Sequence, residues 1–123
     1  MGRAHPGASV VLVVEDERQL LDVVAEELED AGFAAIRALT GDHALDVLNG
    51  PAVVDVLFTD IRLPGAVDGW QLAEKARAMR PTLPVIYATG YTKDPPRQMN
   101  GGVLFAKPYR LSAIVDAVRA LKP

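Results

Sequence analysis

The chain has 123 residues with a formal net charge of −3, half of them hydrophobic and 24% charged. That is one domain's worth of chain, long enough to bury roughly two thirds of its unfolded surface, with a globular rather than a disordered composition. The lack of cysteine excludes disulfides, thiolate zinc sites, iron–sulfur clusters and a cysteine nucleophile; the acidic balance shows no basic footprint for nucleic acid, and no apolar run approaches the roughly 20 residues of a membrane span.

Residues 1–8, MGRAHPGA, lack the apolar stretch of a secretion signal. They are expected to form a flexible tail ahead of one domain over 9–123, in a cytoplasmic protein. Val10–Val14 is a continuous apolar run, the pattern of a strand covered on both faces. It runs into Glu15-Asp16-Glu17. The spacing predicts a first helix over Gln19–Ala31, with Leu20, Val24 and Leu28 four apart on one face and Gly32 as its stop. Phe33–Leu39 reads as the second strand. Asp42–Asn49 reads as a helix with Ala44, Leu45 and Leu48 turned inward, closed by Gly50-Pro51.

Val53–Thr59 is the third strand and leads into Asp60. Asp68–Arg80 is predicted helical, with Leu72, Ala73, Ala76 and Met79 inward and Pro81 as its stop. Val85–Ala88 is the fourth strand, followed by Thr89-Gly90. A crossover helix is expected between Tyr91 and Gly102. Pro95-Pro96 and Gly101-Gly102 leave it few residues, so it should be short or irregular. Val103–Ala106 is the fifth strand and runs into Lys107-Pro108. Leu111–Leu121 closes the chain with Leu111, Ile114, Val115 and Val118 on one face. Strands alternating with helices imply an α/β fold: a doubly wound parallel sheet with right-handed crossovers. Five strands suit the flavodoxin-like order 2-1-3-4-5.

In such a sheet ligands bind beyond the carboxyl ends of the strands. Glu15, Asp16, Asp60, Thr89 and Lys107 all stand where apolar runs stop, so they should share one rim. Strand 1 lies beside strand 3 in the assumed order, which brings Glu15 and Asp16 close to Asp60. Clustered carboxylates raise one another's pKa unless a cation sits among them. Oxygen donors without His or Cys favour a hard ion, Mg²⁺ above all. A metal-bound carboxylate beside an ammonium is a good receptor for a phosphoryl group, and Asp60, central on strand 3, is the natural nucleophile.

With these residues in frame, the chain resembles a response-regulator receiver domain of two-component signalling, CheY-like in fold. The matching pieces are V-L-V-V-E-D-E around Val11–Glu17, L-F-T-D-I-R-L-P-G over Leu57–Gly65 with Asp68-Gly69, P-V-I-Y-A-T-G-Y over Pro84–Tyr91 and F-A-K-P-Y over Phe105–Tyr109. Four pieces in order, from about Ser9 to Leu121, make the resemblance specific. It implies that Asp60 is the phosphoacceptor and that Asp16 and Asp60 ligate Mg²⁺. Glu15 would act on the ion through a water, and Arg62 would offer its backbone carbonyl. It implies that Thr89 bonds a phosphoryl oxygen, that Lys107 pairs with the phosphate, and that Lys107–Pro108 is cis. The implied partners are a sensor histidine kinase or a histidine phosphotransfer protein, and a downstream protein, with no nucleic acid and no membrane. A homodimer is compatible with the pattern but argued by no residue.

Three departures mark this sequence. Leu104 stands three before the Lys, where the family commonly has an aromatic switch residue. The Y-A-T-G-Y stretch is similar to a subclass with F-A-T-G-Y-like motifs and to C-terminal receivers of hybrid kinases, which occur without that aromatic. The loop from Asp60 to Asp68-Gly69 is one residue longer than the commonest form, and the prolines after Tyr91 are unusual. Arg62 and Tyr91, two after the acceptor and two after the Thr, are placed to tune phosphate lifetime.

Other functions fit less well. An aspartyl-phosphate phosphatase of the haloacid dehalogenase type needs an acid two after its nucleophile, where this chain has Arg62. An FMN binder needs a hydroxyl- and glycine-rich loop after strand 1, where Glu15-Asp16-Glu17 repels phosphate. A degenerate receiver that only binds partners is the alternative reading; the intact acid, Thr and Lys set argues against it. Glu15 to Glu17 could also be an acidic first-turn cap, Trp70 and Met79 plain packing, and Arg77, Arg80 and Arg97 solvated charges.

Overall fold

The computed structural model describes residues 8–89 and 103–121. The expected tail up to residue 7, the short fourth crossover helix, and Gly90, Tyr91, Pro95, Pro96 and Arg97 lie outside the described residues. In chain order the elements are β1 (Val10–Val14), α1 (Arg18–Asp30), β2 (Ala34–Ala38), α2 (Gly41–Asn49), β3 (Val56–Asp60), α3 (Gly69–Met79), β4 (Val85–Thr89), β5 (Val103–Ala106) and α4 (Leu111–Leu121). The strands form one parallel sheet in the order β2-β1-β3-β4-β5, as the alternating pattern predicts.

Hydrophobicity explains the order of layers. Every residue of β3 and β4 is buried, because both strands are covered by helices on either side. Odd and even positions separate into two cores. Leu12, Val14, Leu57, Val85 and Tyr87 pack under α2 and α3. Val11, Val13, Val56, Phe58 and Ile86 pack under α1 and α4. β5 alternates half-buried and exposed residues, and Leu104 is exposed.

Local chemistry sets the helix ends. Thr40 caps α2 by accepting a hydrogen bond from the His43 amide at 3.0 Å. Asp68 and Gln71 form a reciprocal capping box at the start of α3, with bonds of 2.8 and 3.0 Å. Both fix the connections that leave the polar edge of the sheet. α1 ends at Ala31, and Gly32 then turns at φ +98°. Glu17 stands at the N-cap of α1 without a side-chain capping bond, and the first turn of α1 carries no acid.

Two packing expectations need correction. Met79 points outward at the end of α3 rather than into the core. Arg80 is not a solvated charge: its guanidinium donates to the carbonyls of Leu48 and Ala52 at 2.9 and 3.0 Å, tying the end of α3 to the end of α2. Trp70 does pack as expected, tilted against the Tyr87 ring with centroids 4.7 Å apart.

Candidate functional site

The site grows out of strand ends. The Glu15 amide donates to the Ala38 carbonyl at 3.1 Å, which carries the β1–β2 ladder one residue past β1. Glu15 is therefore held in sheet geometry at 1% exposure, while the next residue, Asp16, is exposed. The Glu15 carboxylate also accepts the Glu17 amide at 3.1 Å. Asp60 ends β3, in register with Ala88, and is 5% exposed. The Arg62 amide donates to Asp60 Oδ1 at 3.3 Å.

Close packing behind Asp60 depends on Gly69. A Cβ there would collide with the Asp60 carbonyl oxygen and come within 2.6 Å of Ile61 Cα. Without one, the Gly69 amide reaches the Ile61 carbonyl at 2.8 Å and closes the loop from β3 to α3. β3 and α3 thus meet backbone to backbone.

Lys107 arrives from the far side of the sheet. Its amide donates to the Thr89 carbonyl at 2.7 Å, extending the β4–β5 pairing, and the Lys107–Pro108 bond is cis. Lys107 Nζ then lies 3.0 Å from Glu15 Oε1 and 3.0 Å from Asp60 Oδ2. One ammonium bridges two buried carboxylates that are 92 and 47 positions away in sequence. Burial pulls the Lys107 pKa down, but the bonds to Asp60 and Glu15 and their charges outweigh it, and the net shift is upward. Burial pushes the Glu15 carboxyl up to about 7, against the Glu17 amide and Lys107, which favour its charged form.

Glu15, Asp16 and Asp60 each offer a carboxylate oxygen, and the three oxygens lie within 4.8 Å of one another. With every group charged, three carboxylates and one ammonium would carry a net charge of −2. The donors are all oxygens. Both facts fit a hard divalent cation with few protein ligands.

Of the residues singled out in the sequence, the fold brings Glu15, Asp16, Asp60 and Lys107 together. It sets Arg62 against Asp60 through its amide and places Thr89, buried, at the end of β4 beside the Lys107 backbone. Two features escaped sequence reasoning. The direct Glu15–Lys107 pair has no local signal, because its partners meet only through strand order. Among the described residues the buried Tyr109 hydroxyl finds no hydrogen-bond partner, its ring edge-on to Phe58 at 6.0 Å. Burial, and then the negative charge of Glu15, push its pKa to about 12.

Comparison with known proteins agrees with this geometry. Residues 11–119 match the family model of the response regulator receiver domain. A response regulator receiver protein of Anaeromyxobacter sp. (strain Fw109-5) is 35% identical over 108 residues, 88% of this chain and 43% of that protein. The chain spans under half the length of the curated relatives it resembles. Among solved structures, a response regulator receiver protein from Sinorhizobium medicae WSM419 superposes with a TM-score of 0.81 at 30% identity, over 93% of this chain and 94% of that one. The receiver domain of the hybrid histidine kinase CckA superposes with a TM-score of 0.80 at 30% identity, over 92% and 98%. The sheet order, the acidic cluster at its carboxyl edge and a match across nearly every described element lead to one conclusion: the chain belongs to the response regulator receiver domain family of two-component systems.

Proposed function

We propose that this receiver domain accepts a phosphoryl group on Asp60 from a phosphohistidine of a sensor kinase or histidine phosphotransfer protein, and that the modified domain binds its downstream partner differently. The observation that carries the reading is the placement of the buried Asp60 carboxylate 3.0 Å from Lys107 Nζ and within 4.8 Å of oxygens from Glu15 and Asp16. The backbone bond it accepts, from the Arg62 amide at 3.3 Å, uses Oδ1 and leaves Oδ2 to Lys107. Residues 9–123 are taken as the functional unit, and the cytoplasm as its place of work.

In the proposed step an Asp60 carboxylate oxygen attacks phosphorus. A P–O bond forms, the P–N bond to the donor imidazole breaks, and the imidazole nitrogen leaves with the electron pair and takes up a proton. Asp16 and Asp60 would hold Mg²⁺ directly, with the Arg62 carbonyl as a further ligand and Glu15 acting through a water. Bound there, the ion supplies charge neutralisation for the phosphoryl oxygens. Lys107 leaves Glu15 and Asp60 to pair with the transferred group, and Thr89 donates its hydroxyl to a phosphoryl oxygen. Glu15 would keep the metal in register through that water, and Gly69, bare of a side chain, lets α3 start directly against the Asp60 backbone.

The outcome is a switch rather than turnover: added charge at Asp60 biases the domain between two conformations. The test uses Mg²⁺ and acetyl phosphate with intact-mass detection. Wild type should gain one phosphoryl group per chain, and Asp60→Asn or wild type with EDTA none. A folded wild-type protein that takes up no phosphoryl group overturns the reading and favours a binding-only receiver.

A further inference from the structure

The loop between β3 and α3 carries Arg62, and its two ends are tied by the Gly69–Ile61 bond. Its far side rests on the first turn of α2. A Cβ added at Gly41 would lie 2.5 Å from the Val67 carbonyl oxygen and 3.0 Å from both Val67 Cβ and Cγ1. Gly41 and Val67 are both buried. Two residues back in the loop, Gly65 faces the Asp42 carboxylate, whose Oδ2 would lie 3.5 Å from a Cβ built there. Nothing else in α2 explains a glycine at its first position. Thr40 caps the helix, and no positive φ is needed, since among the described residues only Gly32 and Gly65 adopt one.

We infer that Gly41 is a positioning residue for the phosphoacceptor site: its bare backbone lets Val67 seat against α2, and that seat holds the loop at the height where the Arg62 amide meets Asp60. The inference rests on the proposed role of Asp60 and Arg62 and adds a residue on another element that sets their geometry. The reason is mechanical. The obstacle at Gly41 is backbone, which cannot rotate away as a side-chain tip could. Any Cβ at 41 must push Val67 outward, and the closure at Gly69 leaves residues 62–66 to absorb the displacement. The hydrogen bond from the Arg62 amide to Asp60 Oδ1, already 3.3 Å long, lies at the long end of the range and has little length to spare.

The test compares Gly41→Ala with Gly50→Ala. Gly50 ends the same helix, where a Cβ would meet only ordinary contacts at 3.5 Å to Asp46 and Val47 carbonyls. Two readouts are used: hydrogen exchange of the Arg62 amide in metal-free protein, and Mg²⁺ affinity followed through the fluorescence of the single tryptophan, Trp70. Gly41→Ala should speed Arg62 exchange about tenfold and weaken Mg²⁺ binding about fivefold, with circular dichroism unchanged. Gly50→Ala should change neither. If Gly41→Ala does not fold, Val67→Ala, which trims the seat without a clash, should speed exchange about threefold. Unchanged Arg62 exchange in Gly41→Ala, or in Val67→Ala where that variant decides, overturns the inference, as does an equal effect in Gly50→Ala. A wild type blind to Mg²⁺ strikes the metal reading instead, and the exchange result, which needs no metal, still decides on Gly41.

Discussion

Lys107 Nζ stands 3.0 Å from Asp60 Oδ2, joining the loop after β5 to the end of β3 across β4. The same ammonium holds Glu15 at 3.0 Å. It therefore occupies oxygens that a metal ion would also use. Replacing Lys107 with Ala leaves two buried carboxylates facing each other. In metal-free buffer at pH 8 the variant should lose roughly 2 kcal/mol in urea unfolding, the scale of hydrogen bonds to charged groups. Its Mg²⁺ affinity, read by Trp70 fluorescence, should rise because the competing cation is gone. An unchanged or weaker affinity would show that Lys107 does not compete with the ion for these oxygens.

Glu15 gives the site a pH dependence. Its carboxyl has an ordinary value of 4.5 and is pushed up to about 7 by burial. The folded state therefore holds the proton more tightly than the unfolded chain. Its contribution to stability is fully present below pH 4.5 and is lost as the pH rises through about 7. Metal-free wild type should lose stability relative to Glu15→Gln across that window, measured as the difference in urea midpoints. Mg²⁺ binding should strengthen over the same range, because ion and proton compete for the carboxylate. Parallel midpoint curves for the two proteins would refute the assignment.

Gly69 is the second glycine with no room for a side chain. Gly69→Ala must displace the Asp60 carbonyl or the Ile61 backbone. The expected cost is about 1–3 kcal/mol, the range for overpacking, together with slower labelling by acetyl phosphate. Thermal unfolding and intact mass measure the two effects, and a variant as stable as wild type would mean that the helix start can shift freely.

Tyr109 makes the opposite prediction. Its buried hydroxyl makes no hydrogen bond among the described residues, while its ring packs against Phe58 and Phe105. Tyr109→Phe keeps the rings and removes only the orphan group, so it should be neutral or stabilising by up to about 1 kcal/mol. A loss of more than that would reveal a partner for the hydroxyl, such as a bound water.

The order of strands and helices was legible along the chain because each element writes its own local signature. Continuous apolar runs marked β1, β3 and β4, four-residue spacing marked α1, and Gly32, Gly50-Pro51 and Pro81 marked ends. The polar residues that follow those runs pointed to the acid, Thr and Lys set, since a parallel sheet gathers its strand ends at one edge. Boundaries were less legible. The second strand reads as Phe33–Leu39 but pairs only over Ala34–Ala38, and the third begins at Val56 rather than Val53, because hydrophobicity continues past the last ladder bond.

What tertiary structure alone decided are the contacts between elements distant in sequence: the Glu15–Lys107 pair, the seating of Arg80 on Leu48 and Ala52, the outward turn of Met79, and the glycines at 41 and 69. None has a local signature. A side chain's partner depends on strand order and crossover packing, and a glycine's necessity depends on which backbone arrives opposite it. Those distances are set only when both cores are packed, so the chain could name the groups at the edge while the packed fold chose which of them touch.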